Sequence, residues 1–178
     1  MATTRQDATG TTSWQDGVYE ALRAGGVDVL AYVPDAGHAQ AIRRAHADPA
    51  VEAIVLTTEE EGVALACGAW AGGRRAALLM QSSGVGNCIN MLGLVQSGRF
   101  PFLTLVTMRG EWEEFNPWQE PMGRATPAVL EAMGVTVLRA TTPDEAVDLV
   151  RRATAMAFED GTPVAVLLSQ QLIGRKVW

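Results

Sequence analysis

The sequence predicts a doubly wound α/β fold, in which helices cover both faces of a six-stranded, mainly parallel sheet. Short apolar runs rich in Val, Leu and Ile alternate with amphipathic stretches, as is typical of buried parallel strands joined by helices. The 178 residues are 48% hydrophobic and 19% charged, which suits one globular domain with a full core. We therefore predict a single α/β domain over residues 13–178, preceded by a flexible polar tail over residues 1–12.

The strands are predicted where a short apolar run stands between turn-forming or polar residues. Each run is short and rich in Val, Leu or Ile, as buried parallel strands usually are, which favours a parallel sheet covered on both sides. The six predicted strands are residues 29–33, 53–56, 76–80, 102–107, 135–139 and 164–168.

Helices are predicted between most of these strands, from polar starts and from glycine or proline stops. Ser13 can cap the first helix, with Asp16 three residues on, and this helix continues through Leu22 towards a pair of glycines. The others are predicted at residues 37–47, 59–71, 86–95, 126–133 and 143–158. The exception is residues 109–123, which lack a helical period and carry two of the five tryptophans, so we predict a long loop there.

Charge and composition exclude several classes of function. The formal net charge is −6 and the 14 Lys and Arg residues are scattered, which argues against a nucleic-acid partner. No apolar run approaches the ~18 residues needed to cross a membrane. Cys67 and Cys88 lack the spacing of a metal site, so the sequence predicts a reduced, cytoplasmic protein that holds no metal of its own.

Three consecutive glutamates, Glu59, Glu60 and Glu61, open a predicted helix directly after a strand. Carboxylates at this position interact favourably with the helix dipole, so all three can be solvated helix-start charges. Alternatively, one of them points into a cleft at the end of the sheet, where a carboxylate can hold or move a proton. Spacing alone does not choose between these interpretations.

The segment MQSSGVGN lies where the next strand ends and another helix is expected to begin. Open α/β sheets bind ligands at the carboxyl ends of their strands, and small residues let a ligand approach the backbone there. The alternative is an ordinary turn between a strand and a helix.

Several motifs together resemble the pyrimidine-binding domain of the thiamine-diphosphate-dependent 2-oxoacid decarboxylases. They are EEEGVALACGAWAGG, LLMQSSGVGNCIN, PFLTLVTMRGE and PMGRATPAVLEAMGV. The likeness extends over residues 29–137 and is greatest to the sulfopyruvate decarboxylase alpha subunits, with the phosphonopyruvate decarboxylases next. It implies a decarboxylase that acts on a small anionic 2-oxoacid.

The resemblance assigns the catalytic glutamate to Glu60, whose carboxyl group would bond the N1′ nitrogen of the cofactor's aminopyrimidine ring and favour its reactive tautomer. Glu59 and Glu61 would then be helix-start charges. The residues that the resemblance places beneath the pyrimidine are Ser82, Ser83, Gly84, Gly86 and Asn87.

Four further residues are candidates for substrate chemistry. The segment YVPDAGHA resembles a loop of the family that faces the active site of the neighbouring subunit and helps to hold or protonate the reacting carboxylate, which makes Asp35 and His38 catalytic candidates. A turn, a helix cap and a surface histidine are the alternatives. A sulfonate or phosphonate needs guanidinium donors, and Arg109 and Arg124 flank the predicted loop. Their alternative is a salt bridge to one of the neighbouring glutamates.

In the family that the chain resembles, a second domain with a Gly-Asp-Gly signature binds Mg²⁺ and the cofactor's diphosphate, and that signature does not occur in this sequence. The resemblance therefore implies a partner beta subunit that supplies this half of the site, in an α2β2 or larger assembly. We expect an alpha subunit that decarboxylates sulfopyruvate. The alternatives are a phosphonopyruvate or other 2-oxoacid decarboxylase or carboligase subunit, and a non-catalytic binding or regulatory module with the same fold.

Overall fold

Six parallel strands form one sheet within residues 13–174, which are the residues that the computed structural model describes. The predicted tail at residues 1–12 and the last four residues of the predicted domain lie outside this range. Every predicted strand is found, with its ends displaced by no more than one residue. The strands are β1 (Val29–Tyr32), β2 (Glu52–Val55), β3 (Ala76–Gln81), β4 (Leu103–Thr107), β5 (Thr136–Ala140) and β6 (Val164–Leu168).

Helices connect the strands and cover both faces of the sheet, which confirms the doubly wound class. Two short 3₁₀ helices, Ala36–His38 and Pro117–Gln119, each lead directly into an α-helix. The α-helices of the described residues are α1 (Trp14–Ala24), α2 (Ala39–Ala47), α3 (Glu59–Ala71), α4 (Ser82–Cys88), α5 (Leu92–Gly98), α6 (Glu120–Ala132), α7 (Pro143–Phe158) and α8 (Gln170–Ile173).

Helices with clear caps in the sequence begin where predicted. Ser13 accepts a hydrogen bond from the Asp16 backbone at 3.2 Å at the start of α1. A capping box between Thr142 and Glu145 starts α7, whose first residue is a proline. Because the side chains themselves supply the partners of the first N–H groups, such starts can be read from sequence.

Three predicted boundaries are wrong, and all concern helices whose starts lack a side-chain cap. The helix predicted at residues 86–95 is two helices, α4 and α5, separated by a turn at residues 89–91. The helix predicted at residues 126–133 begins at Glu120, and so the predicted loop at residues 109–123 ends at the 3₁₀ turn before it. Pro121 lies in the first turn of α6, where a backbone N–H has no acceptor within the helix, so the absence of an N–H in proline costs no hydrogen bond. In the interior of a helix, a proline usually indicates a break.

The core has two layers, one on each face of the sheet. Helices α1, α2 and α7 pack on one face, where Leu22, Leu79 and Val166 are buried. Helices α3, α4, α5 and α6 pack on the other, around Leu78, Met80 and Leu130.

The strand order is β2-β1-β3-β4-β6-β5, and all of the described pairings are parallel. The chain leaves β1 towards β2 and then crosses back to place β3 on the other side of β1. Connections on the two sides of this pair leave the sheet in opposite directions, which opens a crevice at the carboxyl ends of β1 and β3. The segments that follow β1, β2 and β3 all start at this edge.

Candidate active site

The three glutamates that open α3 have different partners. Glu61 accepts a hydrogen bond from the Thr57 backbone at 2.9 Å, and Glu59 accepts one from the Asn87 side chain at 2.8 Å. Glu60 is half-buried, and its Oε2 accepts a hydrogen bond from the Thr58 hydroxyl at 2.5 Å. Among residues 13–174, the carboxylate of Glu60 is thus held beyond the end of β2 by one short hydroxyl contact.

Two glycines bring α3 close to the sheet and to α4. A Cβ on Gly62 would overlap the end of the Leu78 side chain in β3, so a larger residue there would force this leucine to move or α3 to shift away from the strand. A Cβ on Gly84 would overlap the carboxyl group of Glu59. Neither glycine has a positive φ, and so both serve close approach and not an unusual backbone conformation.

Cys88 reports the electrostatic environment under this helix start. Its thiol is fully buried, and burial raises its pKa to about 12, with smaller contributions in the same direction from the charges of Glu59 and Glu60. Burial also raises the pKa of Cys67. Neither cysteine is therefore a thiolate nucleophile at neutral pH.

The predicted turn at residues 82–87 is the helix α4, which begins directly after β3. Ser82 is buried, and its hydroxyl accepts a hydrogen bond from the Arg109 backbone at 3.1 Å, so it anchors the segment after β4. Ser83 donates to the side-chain oxygen of Gln81 at 3.0 Å. Gly86 faces Met122 of α6, whose sulfur would lie 3.4 Å from a Cβ at that position. Among these positions, Gly84 and Asn87 are the ones that contact the glutamate cluster.

Asp35 joins the ends of three neighbouring strands. Its Oδ1 accepts a hydrogen bond from Gln81 Nε2 at 2.9 Å, and its Oδ2 accepts hydrogen bonds from Thr107 Oγ1 at 2.8 Å and the Gly37 backbone at 2.9 Å. Gln81 ends β3 and Thr107 ends β4, while Asp35 follows β1. The carboxylate therefore lies across the switch point of the sheet, where it also caps the 3₁₀ turn that leads to α2.

His38 lies beneath this carboxylate and is only 3% exposed. Its Nε2 is 3.2 Å from the carbonyl oxygen of Met80, a contact that requires the proton on Nε2. Burial lowers the pKa of His38, and the charge of Asp35 opposes this effect. The ring thus donates to a carbonyl of β3 in the interior and does not lie at the surface of the crevice.

Arg109 follows β4 and is 4% exposed, because Glu114 encloses its guanidinium in a two-point ion pair. The Nε–Oε2 and Nη2–Oε1 distances are 2.7 Å and 2.5 Å. Buried Gln170 at the start of α8 donates to Glu114 at 2.9 Å and accepts from the backbone of Glu111. This network orders residues 109–116 without helical structure. It is the salt-bridge alternative that the sequence left open for Arg109.

Arg124 lies on the exposed side of α6, where it forms a salt bridge with Glu120 at 3.6 Å. Its side chain is 72% exposed, and it lies two residues beyond Met122, the residue that faces Gly86. The structure thus separates the two arginines, since Arg109 is enclosed and Arg124 is on the surface.

Replacing Glu114 with glutamine is expected to flatten the acid side of the stability curve. The pKa of Glu114 is lowered from 4.5 to about 2, first by its hydrogen bonds with Arg109. A depressed folded-state pKa adds stability that is fully present above the unfolded value and is lost as the pH falls from 4.5 towards 2. Chemical denaturation between pH 7 and pH 2 should show wild type losing up to about 3 kcal/mol more than Glu114→Gln over this window.

Glu131→Gln is the matched control for this measurement, because Glu131 is an exposed glutamate of α6. Its curve should run parallel to that of wild type. Parallel curves for wild type and Glu114→Gln would contradict the buried ion pair.

Gln81, Thr107 and Gln170 are site residues that sequence reasoning did not single out. Each is a polar residue at or just beyond the end of an apolar strand, and this signal marks the carboxyl edge of a parallel sheet. Within residues 13–174, no group of three or more His, Cys, Asp or Glu side chains could hold a metal ion. Over the same residues, no helix is both long and apolar enough to cross a membrane.

The fold and the crevice define a doubly wound α/β domain with its candidate site at a topological switch point. A solved structure of 2-oxoglutarate:ferredoxin oxidoreductase from Magnetococcus marinus shares this fold, with a TM-score of 0.69 and 14% identity, over 94% of this chain and 33% of that one. No family model matches the chain.

Curated relatives identify the family. Sulfopyruvate decarboxylase subunit alpha of Methanococcus maripaludis is 38% identical over 154 residues, which are 86% of this chain and 92% of the relative. The subunit of the same name from Methanocaldococcus jannaschii is 32% identical over 84% of this chain and 89% of the relative. Phosphonopyruvate decarboxylase of Streptomyces viridochromogenes is 37% identical over 60% of this chain and 27% of the relative. The chain belongs to the family of sulfopyruvate decarboxylase alpha subunits.

Proposed function

We propose that this chain is the alpha subunit of a thiamine-diphosphate-dependent decarboxylase that converts sulfopyruvate to sulfoacetaldehyde and CO₂. The observation that carries the proposal is the position of Glu60. Its half-buried carboxylate opens α3 beside the close contact between Glu59 and Gly84, at the carboxyl edge of the sheet. The proposal agrees with the names of the relatives that match most of the chain.

The residues present fit the pyrimidine half of thiamine diphosphate. Gly84 leaves its side of the site without a Cβ, and a larger residue there would displace the carboxyl group of Glu59. Over the described residues 13–174, Glu60 accepts from one donor, the Thr58 hydroxyl, so its carboxylate has further acceptor capacity for a protonated ring nitrogen. When bound, the cofactor supplies the electron sink for the pair left by loss of CO₂.

Glu60 would hold a proton at the N1′ atom of the pyrimidine ring, and thus control the tautomer of that ring. Gly84, Gly86, Ser83 and Asn87 would form the surface beneath it. Ser82, which was predicted to bind the cofactor, would act from below by fixing the backbone of the segment after β4.

Asp35 lines an open cleft beside the switch point, and it would orient the reacting carboxylate and hold or deliver a proton there. His38 would support Asp35 from the interior, where its ring donates a hydrogen bond to the Met80 carbonyl of β3. Burial lowers the pKa of this ring. Arg109 and Arg124 remain predicted substrate contacts. For Arg109 this role requires that the substrate's anionic group take the place of the Glu114 carboxylate.

A beta subunit would bind Mg²⁺ and the diphosphate, which the name subunit alpha of the relatives supports. The complete cofactor would then lie between the two subunits, in an α2β2 or larger assembly in the cytoplasm. Phosphonopyruvate is the second candidate substrate, since decarboxylases of that compound match 60% of the chain at 37% identity.

Calorimetric titration of thiamine diphosphate with Mg²⁺ tests the proposal, using the chain alone and the chain mixed with its co-encoded neighbour. We expect binding and CO₂ release from sulfopyruvate only in the mixture. Tight binding by the single chain would contradict the divided site, and absence of binding in both samples would favour a non-catalytic module. Assays with phosphonopyruvate and pyruvate would rank the substrates. A preference for pyruvate would overturn the assignment of a substrate that carries a sulfonate or phosphonate in addition to its carboxylate.

A further inference from the structure

A cleft of about 460 Å³ opens beside Asp35, and one wall of it carries Arg43. Pro34, Ile42 and Tyr32 line the rest of the cleft with largely apolar surface. Asp35 follows β1 and Arg43 lies on α2, the helix that β1 leads into. The cleft therefore extends from the switch point of the sheet along the first turns of this helix.

Arg43 differs from most arginines of the described residues in its charge environment. Arginines paired with a carboxylate within residues 13–174 are Arg23, Arg44, Arg74, Arg109, Arg124, Arg139 and Arg151. Over the same residues, no carboxylate lies within salt-bridge distance of Arg43. Its Nη2 donates to the neutral Gln40 side chain at 2.5 Å. The full positive charge of its guanidinium is thus available in a protein whose net charge is −6.

Gln40 holds this guanidinium in place. Its amide nitrogen donates to Asp16 at 2.7 Å, which fixes the amide oxygen on the side of Arg43. Asp16 is held in turn by Arg44 at 2.9 Å. Orienting an arginine through a neutral amide positions its donors without neutralising them, as anion recognition requires.

We propose that Arg43 binds the sulfonate group of the substrate and is the residue that selects an anionic 2-oxoacid. A guanidinium matches a sulfonate because two parallel N–H donors can meet two of its oxygens. The apolar wall would accept the substrate's methylene carbon, and Asp35 would face its reacting end. This assignment depends on the proposed function. Arg43 offers the sulfonate group a guanidinium that contacts a neutral side chain, whereas Arg109 would first have to separate from Glu114.

Steady-state kinetics of the assembled complex test this assignment with Arg43→Gln, Arg43→Lys and the control Arg151→Gln. Arg43→Gln should raise KM for sulfopyruvate about 10- to 100-fold, the size expected for a lost hydrogen-bonded charge, with little change in kcat. Arg43→Lys should fall between wild type and Arg43→Gln, because lysine keeps the charge and loses the two-point geometry. Arg151→Gln, at an exposed arginine of α7 whose salt-bridge partner is Asp148, should leave KM within about twofold.

The nonreactive sulfonate 3-sulfopropionate separates binding from turnover. Its inhibition constant should rise in Arg43→Gln by the same factor as KM for sulfopyruvate. The melting temperature of Arg43→Gln should match that of wild type, because Arg43 is exposed and its hydrogen-bond partner is a neutral side chain.

Three outcomes would overturn the assignment. An unchanged KM in Arg43→Gln would do so, as would an equal rise of KM for pyruvate, or a rise in Arg124→Gln in place of Arg43→Gln. A wild-type complex that releases no CO₂ from any anionic 2-oxoacid would instead refute the proposed function, and the role of Arg43 with it.

Discussion

Replacing Glu60 with glutamine is expected to lower kcat of the assembled decarboxylase by about 10²- to 10⁴-fold, the range typical of a lost proton-transfer group. Glutamine has nearly the same shape and can still accept the Thr58 hydroxyl hydrogen bond, so α3 should begin as it does now. Its amide can neither hold nor give up the proton at the pyrimidine N1′. The loss should therefore appear in kcat, with assembly and thermal stability unchanged.

The neighbouring glutamates provide matched controls for this experiment. Glu59→Gln keeps an acceptor for the Asn87 amide, and Glu61→Gln keeps one for the Thr57 backbone. Each should retain activity within a few-fold of wild type, since these carboxylates are already used by protein donors. All three variants remove one negative charge from the same helix start, so an electrostatic effect common to them would cancel in the comparison.

The three variants also determine the register of the glutamates. Near-normal turnover in Glu60→Gln, with collapse in Glu59→Gln, would move the catalytic role by one residue. Near-normal turnover in all three would contradict a proton-transfer role for this helix start. Native mass spectrometry of each complex would confirm that subunit composition is unchanged.

The sheet could be predicted from the sequence because its strands are buried on both faces. Leu78, Leu105 and Val166 lie in runs in which almost every side chain is fully buried, and an uninterrupted apolar run is visible in sequence without knowledge of its neighbours. Helices α3 and α7 were predicted with their observed bounds because the sequence marks both of their ends. Their first turns are acidic, and glycine follows soon after their last turns.

The start of α4 could not be predicted in this way. Its first residues, Ser82 and Ser83, follow Gln81, which makes no side-chain cap hydrogen bond to the helix. Two glycines in seven residues also argue against a helix by propensity. The helix forms because Gly84 fits against Glu59 and because Gly86 faces α6, and both contacts are tertiary. Propensity is a weak guide where packing of this kind decides the conformation.

Sequence could indicate single residues of the candidate site but not their contacts, because the contacting residues lie far apart along the chain. The three glutamates and Asp35 could be recognised as candidates because they follow their strands within a few residues, and the family resemblance then assigned the catalytic role to Glu60. Their partners depend on strand order, since Asp35 accepts a hydrogen bond from Thr107, 72 residues away. The sequence alone does not show that β1 and β4 flank β3. The enclosure of Arg109 by Glu114 likewise depends on the path of a segment without regular structure.

Removing the Asp35 carboxylate is expected to weaken both the fold and the activity. Asp35→Ala leaves the Gln81 amide, the Thr107 hydroxyl and the Gly37 N–H without their acceptor at the switch point. Unpaired donors of this kind cost about 1–3 kcal/mol each when buried. Water can replace part of the loss at this half-buried carboxylate, so we expect about 2–4 kcal/mol less stability by chemical denaturation. Activity should fall about 10²-fold, because the ends of three strands lose their common anchor beside the cleft.

Asp35→Asn and Thr107→Val separate the anchoring role of Asp35 from its charge. Thr107→Val removes one donor and leaves Asp35 with the other two, so it should cost about 1 kcal/mol and retain activity within a few-fold. Asp35→Asn keeps the shape of the side chain and one acceptor oxygen but removes the charge. If the carboxylate holds or delivers a proton, kcat of Asp35→Asn should fall at least about tenfold while most of its stability is retained.

The result for Asp35→Asn decides between two functions of the same carboxylate. Full activity in Asp35→Asn, with loss in Asp35→Ala, would make Asp35 a positioning residue whose charge is not used. Full activity in both variants would contradict any role in the reaction, even though the carboxylate joins β1, β3 and β4. The cleft that Asp35 shares with Arg43 makes loss of kcat the expected result, because the reacting end of a substrate held by Arg43 would face this carboxylate.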